Sequence, residues 1–219
     1  YITFILRYRL GVLAVILAAT FVFGGIASQG VYSSALAKLF FGEKHPGFLR
    51  YRERIREFAN DETAIVIYKD EHLFSAASLA RLAQAVQGIE ALPEIRRVDS
   101  LLNAQHVFGE EETLHVEKYA EEALAHPART ARILQQMTQD ALYGGLLISE
   151  DGQHAAVMIE LEPVDELAGE AVPPLINAIM RIFDQAGFPP HALHRVGFTS
   201  SMADIVSQMD FNIKRLFPI

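Results

Sequence analysis

The 219-residue chain contains no cysteine. That removes disulfides, thiolate catalysis and cysteine-ligated zinc from the chemistry open to it, without fixing its compartment. Basic charge is also scarce: 19 Lys and Arg stand against 27 Asp and Glu, for a net charge of −8 and a pI near 5.5. Nucleic acid is therefore not an expected partner, since its binding surfaces need a basic patch, and net charge alone does not favour anionic lipid headgroups. The third absence is local: no charged residue occurs between Arg9 and Lys38.

What fills that gap is apolar. Leu10 to Ile26 supplies most of the roughly 20 residues that a helix needs to cross a hydrocarbon core of about 30 Å. Ala27, Ser28, Gln29 and Gly30 finish the crossing at the interface, Tyr8 and Tyr32 fall where aromatic belts form, and Arg7 and Arg9 place the N-terminus in the cytoplasm. A cleaved secretion signal is the main rival, because a basic start, an apolar run and small residues at Gly25 and Ala27 also fit, with Ser28 near the new start. A buried core helix fits less well, as no polar residue marks a solvent face. No ionisable residue lies within Leu10 to Ile26, so this segment holds no proton relay. The chain starts without Met and is read as a piece of something longer.

Residues 1–34 thus form a membrane helix with its flanks, and residues 35–62 a charged connector in which His45-Pro46-Gly47 signals a turn and Tyr51 to Phe58 a short amphipathic helix. Residues 63–201 form an α/β domain of about the size a proper core requires. Ala64 to Tyr68 is a β-branched run bounded by charges, hence a buried strand. Ser75 is an N-cap, and Leu79, Leu82, Ala83, Val86 and Ile89 recur at helical spacing behind it. Pro93 stops that helix, and Ile95 to Leu102 is the next strand. A helical insertion is expected over about 115–143, broken at His126-Pro127 and packed as an exposed layer. In GGLLISEDGQHAAVMIELEP, two apolar strands meet across Asp151-Gly152, a hairpin turn. Leu175, Ile179, Ile182, Phe183 and Ala186 form a second helical stripe closed by Gly187, and His194 to Ser200 is the last strand. The fold class is α+β: a ferredoxin-like (split βαβ) plan with a helical insertion behind an N-terminal transmembrane helix. Residues 202–219 form a helix, with Ile205 or Val206, Met209, Ile213 and Leu216 on one face.

Sites of chemistry were sought by residue type. His106, Glu111, Glu112 and His115 have the donors for zinc, but Glu110 to Glu112 also suit the first turn of a solvated helix, where carboxylates complement the macrodipole. His191 and His194 beside Pro189-Pro190 read as loop polarity. Thr199, Ser200 and Ser201 lack a GxSxG elbow and a matched base, so they read as a strand end and a cap for a helix opening at Met202 or Ala203. Gly144-Gly145 precedes a strand and is not a phosphate loop. Charges alternate from Arg50 to Arg56 with Glu53 and Glu57, which favours a solvated face over a lipid-binding patch. No catalytic, metal or cofactor-binding residue is assigned, and no enzyme activity is expected.

An RYR-type membrane helix followed by FANDETAIVIYKDEHLF, ALPEIRRVDSLLN and GGLLISEDGQHAAVMIELE resembles the first third of bacterial exporters of the resistance-nodulation-division (RND) superfamily. More narrowly, it is similar to the MmpL-type and hopanoid-exporter-like branch. Ala59 departs from the pattern, where relatives commonly have glycine before the Asn-Asp pair. The resemblance implies a first transmembrane helix leading into a periplasmic porter domain, in a protein that exports lipids or other hydrophobic cargo by proton-driven transport. It places the chain in the bacterial inner membrane, N-terminus cytoplasmic and residues 35–219 periplasmic. The implied partners are the lipid bilayer, the cargo and the remainder of the exporter chain, with a homo-oligomer left open; the proton relay is expected beyond Ile219. ADIVSQMDFNIKRLFPI looks like the approach to a second membrane helix, which would make it a lever between membrane and domain; the spacing fits equally an ordinary C-terminal amphipathic helix docked on the sheet. The alternative is a stand-alone membrane-anchored or secreted α/β binding module without transport.

Overall fold

The computed structural model describes residues 7–30, 45–58, 63–110, 113–162 and 171–216, and its class is mixed α+β. The first element is a 22-residue helix, α1 (Arg9–Gly30). Large apolar side chains lie all round it, and they are exposed from Leu10 (77%) to Phe21 (81%) and Phe23 (70%). The Thr20 hydroxyl donates to the Ile16 carbonyl at 2.9 Å, so it is satisfied by its own helix. Among the residues whose side chains are described, no helix is long and apolar enough to cross a membrane. In α1 that description stops at Gly25, whereas the helical backbone continues to Gly30. Tyr32 lies outside the described residues, as do Ala59 and the Asn60-Asp61-Glu62 stretch of the connector motif.

Helix α2 (Pro46–Phe58) starts earlier than the expected Tyr51. Proline suits a first helical position, where its missing N–H has no partner to lose, and the Gly47 N–H is capped by His45 Nδ1 at 3.1 Å. The predicted turn is therefore a helix start.

The βαβ unit follows as β1 (Thr63–Lys69), α3 (Ala76–Glu90) and β2 (Ile95–Asp99). Ser75 caps α3, its Oγ accepting the Ser78 N–H at 3.1 Å. Leu79, Leu82, Ala85, Val86 and Ile89 are buried; Ala83 is exposed and Ala85 takes its place in the stripe. β2 stops short of Leu102 because Asn103 closes a turn, accepting the Ser100 N–H and donating to the Val98 carbonyl, each at 2.8 Å.

The insertion differs most from expectation. β3 (Gln105–Glu110) and β4 (Thr113–Lys118) form an antiparallel hairpin with Val107 opposite Val116 and Phe108 opposite His115. His115 therefore lies in a strand and not in a helix, and Glu110 ends a strand instead of opening a helix. The physical reason is a ring ladder: Phe108 stacks on His106 at 5.2 Å and on His115 at 5.3 Å, and His106 stacks on Tyr119 at 5.5 Å. Cross-strand and same-face pairs of this kind stabilise hairpins. Helix begins only at α4 (Tyr119–Ala125), which ends at His126; a 3₁₀ turn, Pro127–Arg129, leads into α5 (Thr130–Gln139). This layer is not an exposed shell, because Tyr119, Ala120, Ala123, Ile133 and Met137 are buried and join the core.

β5 (His154–Leu161) follows the Asp151-Gly152 turn, in which Gly152 has φ +66°. The preceding arm pairs with β5 only briefly, through Ser149 N–H to His154 O at 3.0 Å and Ala156 N–H to Leu147 O at 2.9 Å. Gly144 is packed so tightly that a Cβ would lie 2.3 Å from the Thr138 carbonyl oxygen. α6 (Val172–Gln185) ends in a Schellman motif: Gly187, at φ +90°, donates to Asp184 O at 3.0 Å and Phe188 to Phe183 O at 3.1 Å, while the two phenyl rings meet at 5.4 Å. β6 (Leu193–Val196) is shorter than the expected strand, because Gly197 at φ +95° breaks it and α7 (Phe198–Leu216) begins at once. Thr199, Ser200 and Ser201 thus belong to the first turn of α7 and do not precede it. Residues 217–219 lie outside the described residues.

β1 pairs antiparallel with β5 on one side and β6 on the other, and β2 pairs antiparallel with β5, giving the order β2-β5-β1-β6. β1 and β2 consequently run the same way with β5 between them, as do β5 and β6 with β1 between. Each parallel pair is thus separated by one antiparallel strand. Ala64, Val66, Tyr68, Val157, Ile159 and Leu161 enter the core shared with Leu82, Ile89, Ile179 and Phe183.

Candidate functional site

The alternation of β1 leaves a second sheet face. Ile65 lies opposite Met158 and Val196, and Ile67 opposite Ala156 and His194. Ile65, Ile67 and Met158 are half-buried, Ala156 is buried, and Val196 is 38% exposed, so the middle of this face is apolar and only partly covered. Its rim is charged: Glu160 meets Arg96 at 3.3 Å and Arg97 at 3.5 Å, and Arg97 meets Asp99 at 2.9 Å. Such a face accepts apolar matter by area, not by chemistry. It could have been read from β1, where the residues at alternate positions are apolar on both sides.

At the far end of β1 sits a polar clasp. Asp70 Oδ2 accepts from Ser78 Oγ and Arg81 Nη2, both at 2.7 Å, and Oδ1 accepts from the His72 N–H at 2.8 Å. Arg81 also lies 5.4 Å from the Phe188 ring, which meets Tyr68 edge-on at 5.0 Å. Burial, and then the Asp70 charge, push the Tyr68 phenol far above its ordinary range. The clasp ties β1, α3 and the loop after α6 together, and its carboxylate is already saturated by donors, so its role is structural.

Among the described residues, the sets with the donors for a chemical site lie apart or are occupied by other contacts. His106 and His115 each stack on Phe108, and Glu111 and Glu112 lie outside the described residues. His191 is exposed in the 3₁₀ turn Pro190–Ala192 and His194 is exposed on β6. Among the described residues no cluster of metal-ligating side chains occurs. Thr199 and Ser200 are buried, and among the described residues their hydroxyls have no hydrogen-bond partner, hence no base to activate them. The Ser201 hydroxyl donates to Gly197 O at 3.1 Å. A shallow cleft of about 410 Å³ is lined by Asn177, Met180, Arg181, Asp184, Pro190 and Leu193, and lacks the enclosure of a small-molecule pocket.

Three further surfaces are apolar and exposed: α1 between Leu10 and Phe23, the Val107–Val116 face of the hairpin at 53% each, and the distal part of α7 with Ile205 (53%), Met209 (46%) and Phe211 (56%). In the first turns of α7, Thr199, Ser200 and Ala203 are buried while Phe198 is 69% exposed. Arg195 on β6 pairs with Asp204 on α7, fixing the helix to the edge of the sheet. Compared with known proteins, the sequence matches no family model and no curated protein.

Proposed function

We propose that the chain is the N-terminal part of an RND-type exporter: α1 is the membrane entry, and the α+β unit is a ferredoxin-like porter domain that contacts lipid or other hydrophobic cargo and passes it on in proton-driven transport. The observation that carries this reading is α1. Its 22 residues extend about 33 Å at 1.5 Å per residue, against a hydrocarbon core of about 30 Å. A helix whose large apolar side chains are exposed on all sides between Leu10 and Phe23 needs an apolar solvent, and the Thr20 hydroxyl, bonded back to Ile16, is satisfied in that solvent. Arg7 and Arg9 put the N-terminus in the cytoplasm and residues 35–219 in the periplasm of a bacterial inner membrane. The strand order β2-β5-β1-β6 supports the ferredoxin-like reading, and the half-covered sheet face offers cargo an apolar surface. The domain works by contact and movement, without intrinsic catalysis, metal or cofactor.

α7 leaves the sheet with exposed apolar residues in its distal part, which supports its reading as a lever toward a second membrane helix. The half-covered face also suits a stand-alone membrane-anchored binding module, which needs no motor. The two readings separate in proteoliposomes of the protein encoded by the full reading frame, carrying a labelled lipid under an imposed pH gradient. Gradient-dependent transfer of the label supports the exporter; binding that ignores the gradient supports the stand-alone module. Inserting Gly-Gly after Gln208 should leave the domain folded and sharply lower transfer, and undiminished transfer would reduce α7 to a passive tether.

A further inference from the structure

Helix α2 carries more than its charge count suggests. Along the sequence, Arg50, Arg52, Arg54 and Arg56 alternate with acidic and apolar residues, so their field reads as cancelling. The helix, however, starts at Pro46, which brings Phe48 into register with Tyr51, Ile55 and Phe58. At 100° per residue these four positions share an arc of about 80°. Glu53 and Glu57 fall on the opposite side, about 180° and 140° from the centre of that arc, together with Leu49, Arg50 and Arg56, while Arg52 and Arg54 flank the arc about 80° away on either side. Acidic charge is thus segregated away from the apolar arc, and basic charge borders it. The helix keeps a net excess of basic over acidic residues in a chain whose overall charge is −8. Tyr51, inside the arc, is 45% exposed.

We infer that α2 lies in the surface of the bilayer that α1 crosses, its apolar arc at the boundary of headgroups and acyl chains and its flanking arginines at anionic lipid headgroups. This rests on the membrane reading of α1. Three features select a lipid surface as the occupant. Aromatic residues in the arc favour the membrane interface, arginines beside it can snorkel to phosphate, and glutamates opposite it remain in water. The connection allows it: residues 31–45 reach up to about 50 Å when extended, enough for α2 to return to the surface at which α1 emerges.

The chain contains no Trp, so Tyr51→Trp gives a lone fluorophore in the arc. The full chain is reconstituted in phosphatidylcholine vesicles with and without phosphatidylglycerol. With phosphatidylglycerol, emission should shift to the blue and be quenched by lipids brominated near the headgroup end of their acyl chains. Replacing Arg52 and Arg54 by Gln should weaken the surface-bound state about fivefold per arginine. Emission that stays red and open to aqueous iodide overturns the inference, and so does a blue shift without bromolipid quenching, which means packing against protein. Phe21→Trp, made separately, reports on α1. Lipid quenching of the Phe21→Trp variant together with water-exposed emission from Tyr51→Trp sinks only the α2 inference. The reverse pattern, water-exposed emission from Phe21→Trp and lipid quenching of Tyr51→Trp, sinks the α1 reading and leaves α2 at the surface. If both variants emit from water, both readings fail.

Discussion

Phe183 and Phe21 are the same residue in opposite circumstances: Phe183 is 0% exposed among the core of the α+β domain, and Phe21 is 81% exposed on α1. The domain folds as though water were its solvent, with apolar side chains turned inward from two helices and a sheet. Helix α1 turns the same kinds of side chain outward on all sides. One chain therefore carries two arrangements of the same side chains, and on the proposed reading the second is stable because the medium around it is the bilayer and not water.

That contrast makes unequal predictions for equal substitutions. Phe183→Ala should destabilise the domain by about 3–5 kcal/mol, through lost burial and the cavity left behind. Phe21→Ala should leave the urea midpoint of the domain unchanged, as its ring is 81% exposed; a comparable loss from both would merge the two regions into one folding unit. Leu17→Arg, in the middle of α1, should cost about 2.5–3.5 kcal/mol of membrane insertion, read as a shift of protein from the membrane to the soluble or aggregated fraction, with domain unfolding unaltered.

A smaller effect belongs to the domain alone. Burial raises the Tyr68 and Tyr119 phenols above their ordinary value, helped by the Asp70 charge for the first and by the hydrogen bond to Asp140 for the second. The unfolded chain ionises these groups near pH 10 while the folded one keeps them protonated. Their stabilising contribution is fully present below about pH 10 and is lost above it, by about 1.4 kcal/mol per pH unit for each tyrosine. Urea midpoints followed between about pH 9 and pH 11 should fall accordingly, and Tyr119→Phe should remove about half of the slope. The smallest change is Ser75→Ala, which loses the α3 cap and about 1 kcal/mol on thermal unfolding.

The parts of the fold legible in sequence were those whose own chemistry fixes them. Ser75 and Gly187 mark helix ends by side chain and by φ, β1 is a β-branched run bounded by charges, and the α6 stripe has one strong period. The hairpin Gln105–Lys118 escaped because neither of its faces is a continuous apolar row: His106, Phe108 and His115 stabilise it by stacking, which no hydrophobic pattern reports. Glu110 to Glu112 imitated the first turn of a helix. Tyr119, Ile133 and Met137 were missed as core because their stripe is short and broken at His126-Pro127. The second face of the sheet was hidden by the same apolarity that made β1 easy to find, since a strand apolar on both sides reads as buried on both.

The most direct test asks whether α1 crosses a membrane and stays attached. The chain has no cysteine, so Tyr8→Cys and Ala141→Cys can each be introduced as a lone thiol, one at the start of α1 and one on an exposed turn of the domain. Both variants of the full-length protein are treated with a membrane-impermeant maleimide, in intact spheroplasts and after lysis. A spanning, uncleaved helix predicts that the thiol introduced at position 141 is labelled in intact spheroplasts, that the one at position 8 is labelled only after lysis, and that both remain with the membrane in alkaline carbonate. Labelling of both before lysis, or release of the domain into the carbonate supernatant with residue 8 removed, would contradict it.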